Sequence, residues 1–182
     1  MTTATGTEVA VPHGTWQIDQ DHSSATFEVE HASVSLFRGG FSPIQATLTS
    51  SDTGVELEGS VPVEGVSIND ENIRPHLLSP DFFDVARNPE VAFRSTEISG
   101  NADDLTVRGE LTLAGVTRPV EARGRVRGPV TLAEDIERLS VSLETAIDRT
   151  EFGMDWQMQL PGGEDALANQ VTLVVELELQ RA

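Results

Sequence analysis

The sequence lacks cysteine and lysine and contains few aromatic residues. The absence of cysteine excludes disulfide bonds, thiolate metal ligands, iron–sulfur clusters and cysteine nucleophiles. Basic residues are also few: 12 arginines stand against 30 acidic residues, which gives a net charge of -18. Phosphate backbones and anionic membrane surfaces are repelled by such a charge. We therefore expect no nucleic-acid partner.

Long hydrophobic runs are absent as well. No stretch approaches the ~20 apolar residues of a membrane-spanning helix, and the first residues have neither the basic nor the apolar region of a secretion signal. These patterns predict no membrane span and a cytoplasmic location. The length of 182 residues fits one domain. We expect a flexible N-terminal tail over 1–13 and a single domain over 14–182.

Sequence motifs for catalysis and metal binding are missing. There is no Gly-x-Ser-x-Gly elbow, P-loop or Rossmann glycine pattern. The histidines form no His-x-His or His-Glu-x-x-His pair that would place two ligands on one face. Asp21-His22-Ser23 has the residue types of a catalytic triad, but neighbours in sequence do not normally face each other, and we interpret it as a turn. We expect no metal, no cofactor and no catalytic residue.

The pattern that is present is alternation of apolar and polar residues with a period of two, which is typical of half-buried β-strands. It recurs almost from end to end, with turn signals such as Asp52-Thr-Gly54 between runs. We count eight or nine antiparallel strands. Each run has one apolar face, so the sheet must stack on a second sheet or close on itself. An eight-stranded closed barrel holds packed side chains or one small ligand.

One segment interrupts the alternation, from Asn69 to Val85. Asn69 or Asp70 can cap a first helix, and Ser79 with Pro80 can begin a second. The segment therefore predicts two short helices in an otherwise all-β chain. The apolar parity also changes at Gly65, which indicates a bulge or a sharp bend.

Small residues share the parity of the apolar face, and there are few aromatic residues to fill a barrel. Either they leave a cavity, or they lie where strands bend or pack closely. The residues allow both interpretations. They are Gly59, Gly109, Ala122, Gly124 and Gly128.

Several segments, read in order, resemble the YceI-like family of lipocalin-like barrels described as polyisoprenoid-binding. The resemblance spans about Gly14 to Leu179. The matching stretches are Trp16-Gln-Ile-Asp19 with His22-Ser23, Phe27-Glu-Val-Glu-His31, Arg38-Gly-Gly-Phe41, His76-Leu-Leu-Ser-Pro-Asp-Phe-Phe-Asp84, Pro89-Glu-Val-Ala-Phe-Arg-Ser95, Gly109-Glu-Leu-Thr-Leu-Ala-Gly-Val-Thr-Arg-Pro-Val120 and Arg149-Thr-Glu-Phe-Gly-Met154.

The resemblance implies an all-β, antiparallel, eight-stranded extended lipocalin-like barrel with one or two short helices. It also implies an apolar channel that holds one long-chain isoprenoid or fatty-acyl ligand, in a homodimer. The chain departs from the family in two respects. Pro75 stands where the family often has an acidic residue after arginine, and no secretion signal is seen.

If the barrel holds an apolar chain, its wall consists of inward-facing apolar residues, because burial of apolar surface needs few directional contacts. Each of these residues can equally be ordinary core. The predicted wall is Phe27, Val29, Phe41, Val63, Ile68, Leu77, Phe82, Phe83, Phe93, Leu111, Leu113, Val141, Leu143, Phe152 and Leu173.

A polar head group needs donors at the channel mouth. The candidates within the matched motifs are His31, Arg38, His76, Ser95 and Arg149. For His76 the structural alternative is a helix-end histidine that bonds to a carbonyl. For Arg149 it is an ion pair with Asp148, Glu151 or Asp155.

Two further segments have more than one interpretation. The arginines Arg123, Arg125 and Arg127 form a stripe on one strand face, which could hold an anionic partner or a dimer mate. We favour the alternative that they meet Glu110 and Glu144 as cross-strand neighbours. The alternating apolar residues of 154–160 form a flap over the channel, a strand or a dimer contact.

We consider a non-catalytic carrier of an isoprenoid or acyl chain first. The alternatives are a small barrel enzyme that uses His31 or His76 as acid or base, and a dimeric stress-response scaffold without ligand.

Overall fold

A computed structural model describes residues 9–182. Its strands are β1 (Gly14–His31), β2 (Ser35–Phe41), β3 (Gln45–Ser51), β4 (Gly54–Pro62), β5 (Val66–Ile68), β6 (Glu90–Gly100), β7 (Leu105–Leu113), β8 (Val116–Thr131), β9 (Glu137–Asp148) and β10 (Leu167–Arg181). One α-helix, α1, covers Arg74–Leu78, and short 3-10 turns cover Val63–Gly65, Ala133–Asp135 and Arg149–Phe152.

The strands form one closed antiparallel barrel. β2 and β3 both run antiparallel to β1 and act as one strand that is interrupted at residues 42–44. β4 and β5 form a second interrupted strand. The interruption is the turn Val63–Gly65, which ends at the glycine where the sequence indicates a change of apolar parity. With each interrupted pair counted as one strand, eight strands close through the pairing of β10 with β1. The predicted eight-stranded lipocalin-like barrel is confirmed.

Alternation places the apolar side chains inside this barrel. In β7, Leu105, Val107 and Leu111 are buried, whereas Arg108 and Glu110 between them are exposed. The same period of two recurs in β9. Because one face of each strand is apolar, closure into a barrel removes that face from water.

The interior contains two hydrophobic clusters, one toward each end of the barrel. The first cluster includes the fully buried Trp16 together with Leu105 and Leu179. The second cluster lies under α1, the turns that follow it and the segment 149–166 between β9 and β10, which supply Leu77, Phe82, Phe83, Phe152 and Met154. We call this second end the capped end.

Three details differ from the sequence interpretation. Asp21-His22-Ser23 is a bulge inside the continuous strand β1 and does not separate two strands. Only α1 forms after Asn69, because the segment after Ser79 folds into successive turns held by bonds such as that from Phe82 N–H to Ser79 O. Pro75 stands in the first turn of α1, where its missing N–H is not needed.

Part of the predicted tail is packed. Val9 and Val11 are buried in the first cluster, and Ser50 donates from its hydroxyl to Val11 O at 2.8 Å. The boundary at residue 13 therefore does not hold for residues 9–13, while residues 1–8 lie outside the described part of the chain. Within residues 9–182, no helix has the length and apolar character needed to cross a membrane.

Candidate functional site

A cavity of about 170 Å³ lies inside the barrel, lined mainly by residues of the first cluster and by Leu111 of the second. Strands from all around the barrel contribute to its lining, from β1 to β10. The surface that these residues present to the cavity is almost entirely apolar. Its inward-facing members are Ala25, Phe41, Ile44, Ala46, Leu57, Val61, Val91, Phe93, Leu111, Val120, Ala122, Leu143, Leu173, Val175 and Leu177.

The predicted wall residues divide between this cavity and the surrounding core. Phe41, Phe93, Leu111, Leu143 and Leu173 line the cavity. Val141 belongs to the first cluster, and Val29 is buried outside both clusters. The remainder pack beneath the cap in the second cluster: Phe27, Val63, Ile68, Leu77, Phe82, Phe83, Leu113 and Phe152.

Sequence reasoning did not nominate several lining residues, including Ile44, Leu57 and Val175. Their alternation marks them as inward-facing. Only the register shows that they lie at the height of the cavity, because alternation assigns a side chain to a face and not to a position along the barrel axis.

The small inward-facing residues divide between the two interpretations. Gly59 and Ala122 line the cavity. At Gly109 an added Cβ would come within 2.5 Å of the Phe93 ring, and at Gly124 within 1.7 Å of Ser142 O, so these two glycines permit close packing. Gly128 has a φ of 94°, which favours glycine.

An aromatic path leads from the cavity to the capped end. The ring of Phe41, which lines the cavity, lies 5.7 Å from the ring of Phe27 and 5.6 Å from the ring of Phe83. Phe37 lies 6.1 Å beyond Phe27. Edge-to-face and tilted arrangements at these distances are favourable for aromatic pairs.

At the capped end, His76 joins α1 to the segment 149–166. Its imidazole lies edge-on to Trp156 at 4.9 Å and to Phe82 at 5.0 Å. Its Nε2 lies 2.9 Å from the Asp81 carboxylate. His76 therefore bonds to a carboxylate and not to a helix-end carbonyl.

Arg149 holds the other side of this segment. Its guanidinium is buried and donates to the carbonyl oxygens of Ala168, Met154 and Trp156 at 2.6–2.9 Å and to Asn169 Oδ1 at 3.3 Å. Burial lowers the pKa of Arg149, since desolvation disfavours the charged form. Among residues 9–182 it takes part in no ion pair. The ion-pair alternative is wrong, and these donors are engaged within the protein.

The other three mouth candidates lie apart. Arg38 is exposed and donates to Glu28 at 2.7 Å, and His31 is exposed at the end of β1. The Ser95 hydroxyl accepts from Leu57 N–H at 2.8 Å, beyond the last paired residues of β4 and β6. Only His76 and Arg149 share a neighbour, Trp156.

The segment 154–160 is a loop and not a barrel strand. Met154 is buried, Trp156 is half-buried, and Met158 is 52% exposed. Gln157 fastens the loop to β10, because its side chain donates to Leu167 O and accepts from Leu167 N–H. This leaves the flap and dimer-contact interpretations open.

A polar cluster on the outside of β1 escaped sequence analysis. Ligand atoms of Asp19, His22 and Glu178 lie within 4.8 Å of one another. Arg138 already supplies a counter-charge, since its Nη1 lies 2.7 Å from Asp19 and 2.5 Å from Glu178. Burial alone raises the pKa of Asp19, but hydrogen bonds from His22 and the Asp21 N–H, with the charge of Arg138, outweigh it and hold the pKa below its usual value. The arrangement is an ion-pair network, not an open cation site.

The arginine stripe also meets partners other than those expected. Arg123 lies opposite Glu144 in register, yet it donates to Glu121 at 3.0 Å. Arg127 donates to Asp103 at 2.5 Å. The expected cross-strand position of Glu144 is confirmed for Arg123, whereas Glu110 lies opposite Arg94 and Pro119 and not opposite the stripe. The ion pairs of Arg123 and Arg127 form with acidic residues on the same strand and in a nearby loop, which long arginine side chains can reach.

Comparison with known proteins places this barrel in context. A UPF0312 protein of Pseudomonas aeruginosa is 30% identical over 118 residues, which span 62% of this chain and 62% of that protein. Protein YceI of Salmonella newport is 30% identical over 129 residues, 68% of this chain and 66% of that protein. The chain thus spans less than two thirds of the length of these relatives.

Solved structures agree on the fold. BcnA of Burkholderia cenocepacia superposes with a TM-score of 0.73 at 17% identity, over 88% of this chain and 98% of that chain. A polyisoprenoid binding domain from Saccharophagus degradans, implicated in plant cell wall breakdown, gives a TM-score of 0.67 at 12% identity, over 92% and 98%. A family model described as the YceI-like domain matches residues 16–179. The chain belongs to the YceI-like family.

Proposed function

We propose that this protein binds one long apolar chain, of isoprenoid or fatty-acyl type, inside the barrel and acts as a non-catalytic carrier. The observation that carries the proposal is the cavity of about 170 Å³ in the barrel interior with its apolar lining. A cavity without polar partners is poorly suited to water. An apolar chain gains roughly 25 cal/mol for each Å² of apolar surface that it buries there.

The size of the cavity limits what it holds without rearrangement. A dry cavity of roughly 150 Å³ is enough for benzene, so about one isoprene-sized segment fits the present volume of about 170 Å³. A longer chain must displace side chains. We propose that it extends along the aromatic path of Phe41, Phe27 and Phe83, since these neighbouring rings give a continuous apolar surface from the cavity toward the capped end.

The Saccharophagus degradans domain, which has the same fold, is described as polyisoprenoid binding. This supports the isoprenoid over the acyl class.

The proposal is further supported by the dispersal of the candidate acids and bases: the exposed His31 ends β1, and His76 is engaged with Asp81. Neither residue lines the cavity. We therefore favour binding over catalysis.

The first test is direct uptake of a defined chain. The purified protein is incubated with geranylgeraniol, a neutral C20 isoprenoid alcohol, and its native mass is recorded before and after organic extraction. One bound molecule per chain supports the proposal. A native mass equal to the polypeptide mass, with no binding of geranylgeraniol or of hexadecanol, overturns it.

A matched pair of variants locates the ligand. Leu143 and Leu139 are both buried on β9, but only Leu143 lines the cavity. Leu143→Ala and Leu139→Ala each remove a buried leucine and cost about 2–5 kcal/mol of stability. Only Leu143→Ala is expected to alter the affinity for geranylgeraniol. Ala122→Leu, which fills the cavity from β8, is expected to weaken binding by about tenfold or more.

Equal effects of Leu143→Ala and Leu139→Ala on affinity, with no effect of Ala122→Leu, would place the ligand elsewhere.

The homodimer that the family resemblance implies stays a prediction, which sedimentation of the ligand-free and ligand-bound protein tests.

A further inference from the structure

The hydrogen-bond ladder of the barrel is interrupted beside the cavity. β1 pairs with β3 through residues 14–17 and with β2 through residues 25–31, so residues 18–24 have no ladder partner on that side. The neighbouring strand is broken at 42–44. We call this gap, between residues 18–24 of β1 and residues 42–44, the seam.

The bulge in β1 lies at the same height along the barrel as the seam. Between Asp19 and Ser24 the register with β10 shifts, so residues 20–23 leave the ladder on their other side as well. The Ser23 hydroxyl holds the bulge by donating to Asp19 O at 2.7 Å and accepting from Glu178 N–H at 3.0 Å. This arrangement frees Gln20 from strand pairing.

The side chain of Gln20 spans the seam. Its Oε1 accepts from Ile44 N–H at 3.0 Å, and its Nε2 donates to Ile44 O. One side-chain amide thus takes the place of a backbone partner. A side chain has rotatable bonds and can swing out, whereas a paired strand cannot separate without breaking several backbone bonds.

The cavity reaches the seam from inside. Ala25 and Phe41 form the last pair of the β1–β2 ladder, and both line the cavity. Ile44 and Gln45, on the far side of the break, line it as well. On the outside, Gln20, Ser42 and Pro43 are exposed. The seam is therefore a thin part of the wall between cavity and solvent.

We propose that the seam is a lateral port through which an apolar chain reaches the cavity, and that Gln20 is the latch that keeps it shut. The inference rests on the proposed function. The capped end is a more costly route, because the buried Phe82, Phe83 and Phe152 cover it. At the seam, opening exchanges two side-chain hydrogen bonds for bonds to water.

The port predicts a kinetic signature. Gln20 does not line the cavity, so Gln20→Ala changes how fast a ligand enters and leaves but not how well it fits. Two hydrogen bonds correspond to a rate factor of about tenfold. With N-phenyl-1-naphthylamine as a neutral fluorescent probe in stopped flow, we expect association and dissociation rates each to rise about tenfold, with Kd within about twofold.

Two variants accompany this measurement. Gln17→Ala removes an exposed glutamine from the regularly paired part of the same strand and is expected to leave both rates unchanged. Gln20→Glu keeps an acceptor for Ile44 N–H and loses the donor to Ile44 O, and should give intermediate rates. Rates in Gln20→Ala equal to those in Gln17→Ala overturn the port.

Labels test the port without disturbing the latch. The chain has no cysteine, so Ser42→Cys and Val34→Cys each provide a unique thiol for a bulky maleimide. Ser42 lies at the seam, and Val34 is 84% exposed in the turn at the capped end. Slower probe entry only with the label at 42 supports the port, and this holds even if Gln20→Ala fails to fold. Slower entry only with the label at 34 moves the route to the capped end and overturns the proposal.

Failure of the underlying function gives a different result. If the unmodified protein takes up neither the probe nor geranylgeraniol, the proposed function fails and the port fails with it. If it binds both while the latch and label variants behave as their controls, only the port is overturned.

Discussion

Arg149 donates from Nη1 to the carbonyl oxygen of Met154 at 2.6 Å, although neither residue is accessible to more than a trace of solvent. A buried guanidinium without an acidic partner is costly unless its donors are satisfied. Here the carbonyl oxygens of Trp156, in the loop 154–160, and of Ala168, in β10, satisfy the remaining donors. The arginine thus fixes the loop that carries Trp156 against the barrel, and it is a structural element of the capped end.

Replacement of this arginine should therefore destabilise the fold. Arg149→Lys keeps the charge but cannot reach all of these acceptors, and we expect a loss of about 2–4 kcal/mol in urea unfolding. Arg118→Lys is the control, since exposed Arg118 donates to the single carbonyl of Glu151. Its expected cost is below about 1 kcal/mol. Equal costs for both variants would contradict the structural role.

Two inward-facing glycines should respond differently to the same change. A Cβ at Gly124 would lie 1.7 Å from Ser142 O, so Gly124→Ala must displace β9. At Gly59 the nearest atom is Gln45 O at 3.1 Å. We expect a cost of at least about 2 kcal/mol for Gly124→Ala and less than about 1 kcal/mol for Gly59→Ala, measured by denaturant unfolding. A larger loss of stability in Gly59→Ala would show that the cavity wall cannot shift there to accommodate a methyl group.

The Asp19 network predicts acid sensitivity. The folded state lowers the pKa of Asp19 from its ordinary value of 3.8. A lowered pKa contributes stability that is present above the ordinary value and is lost as the pH falls through the lowered value. In Asp19→Asn this contribution is absent, so the difference in unfolding free energy from wild type should shrink below about pH 4. Asp21→Asn, at the exposed neighbouring position, is the control, and a constant difference for Asp19→Asn across this range would refute the prediction.

The contact of His76 with Trp156 should be visible in fluorescence. His76→Gln keeps a polar group for Asp81 but loses the ring that packs edge-on against Trp156 at 4.9 Å. We expect the tryptophan emission to shift to longer wavelength, because Trp156 becomes more hydrated while Trp16 stays fully buried. His22→Gln in the exposed bulge should leave the spectrum unchanged. An unchanged spectrum in His76→Gln would mean that Phe82 and Arg149 hold Trp156 in place without His76.

The sequence predicts much of this architecture for a local reason. Alternation reports which side of a strand a residue faces, so the antiparallel strands and their apolar face follow from it. It leaves open whether the sheet stacks on a second sheet or closes, and only the family resemblance implied the closed barrel. Helix formation after Asn69 is less predictable. The capping residues permit a second helix, but Phe83 N–H bonds to Leu77 O and Val85 N–H to Leu78 O in a non-helical pattern that packs the rings under the cap.

By itself, the sequence determined the strand faces, the small inward-facing residues and the acidic surface, since each depends only on residue type and spacing. Only the tertiary structure decided which inward residues enclose the cavity: Leu139 and Leu143 share one strand and one face, and register alone places Leu143 there. The same holds for contacts between distant residues, such as Asp19 with Glu178 and Gln20 with Ile44. Closure of the barrel brings these residues together, and no local pattern encodes how β1 aligns with its neighbours.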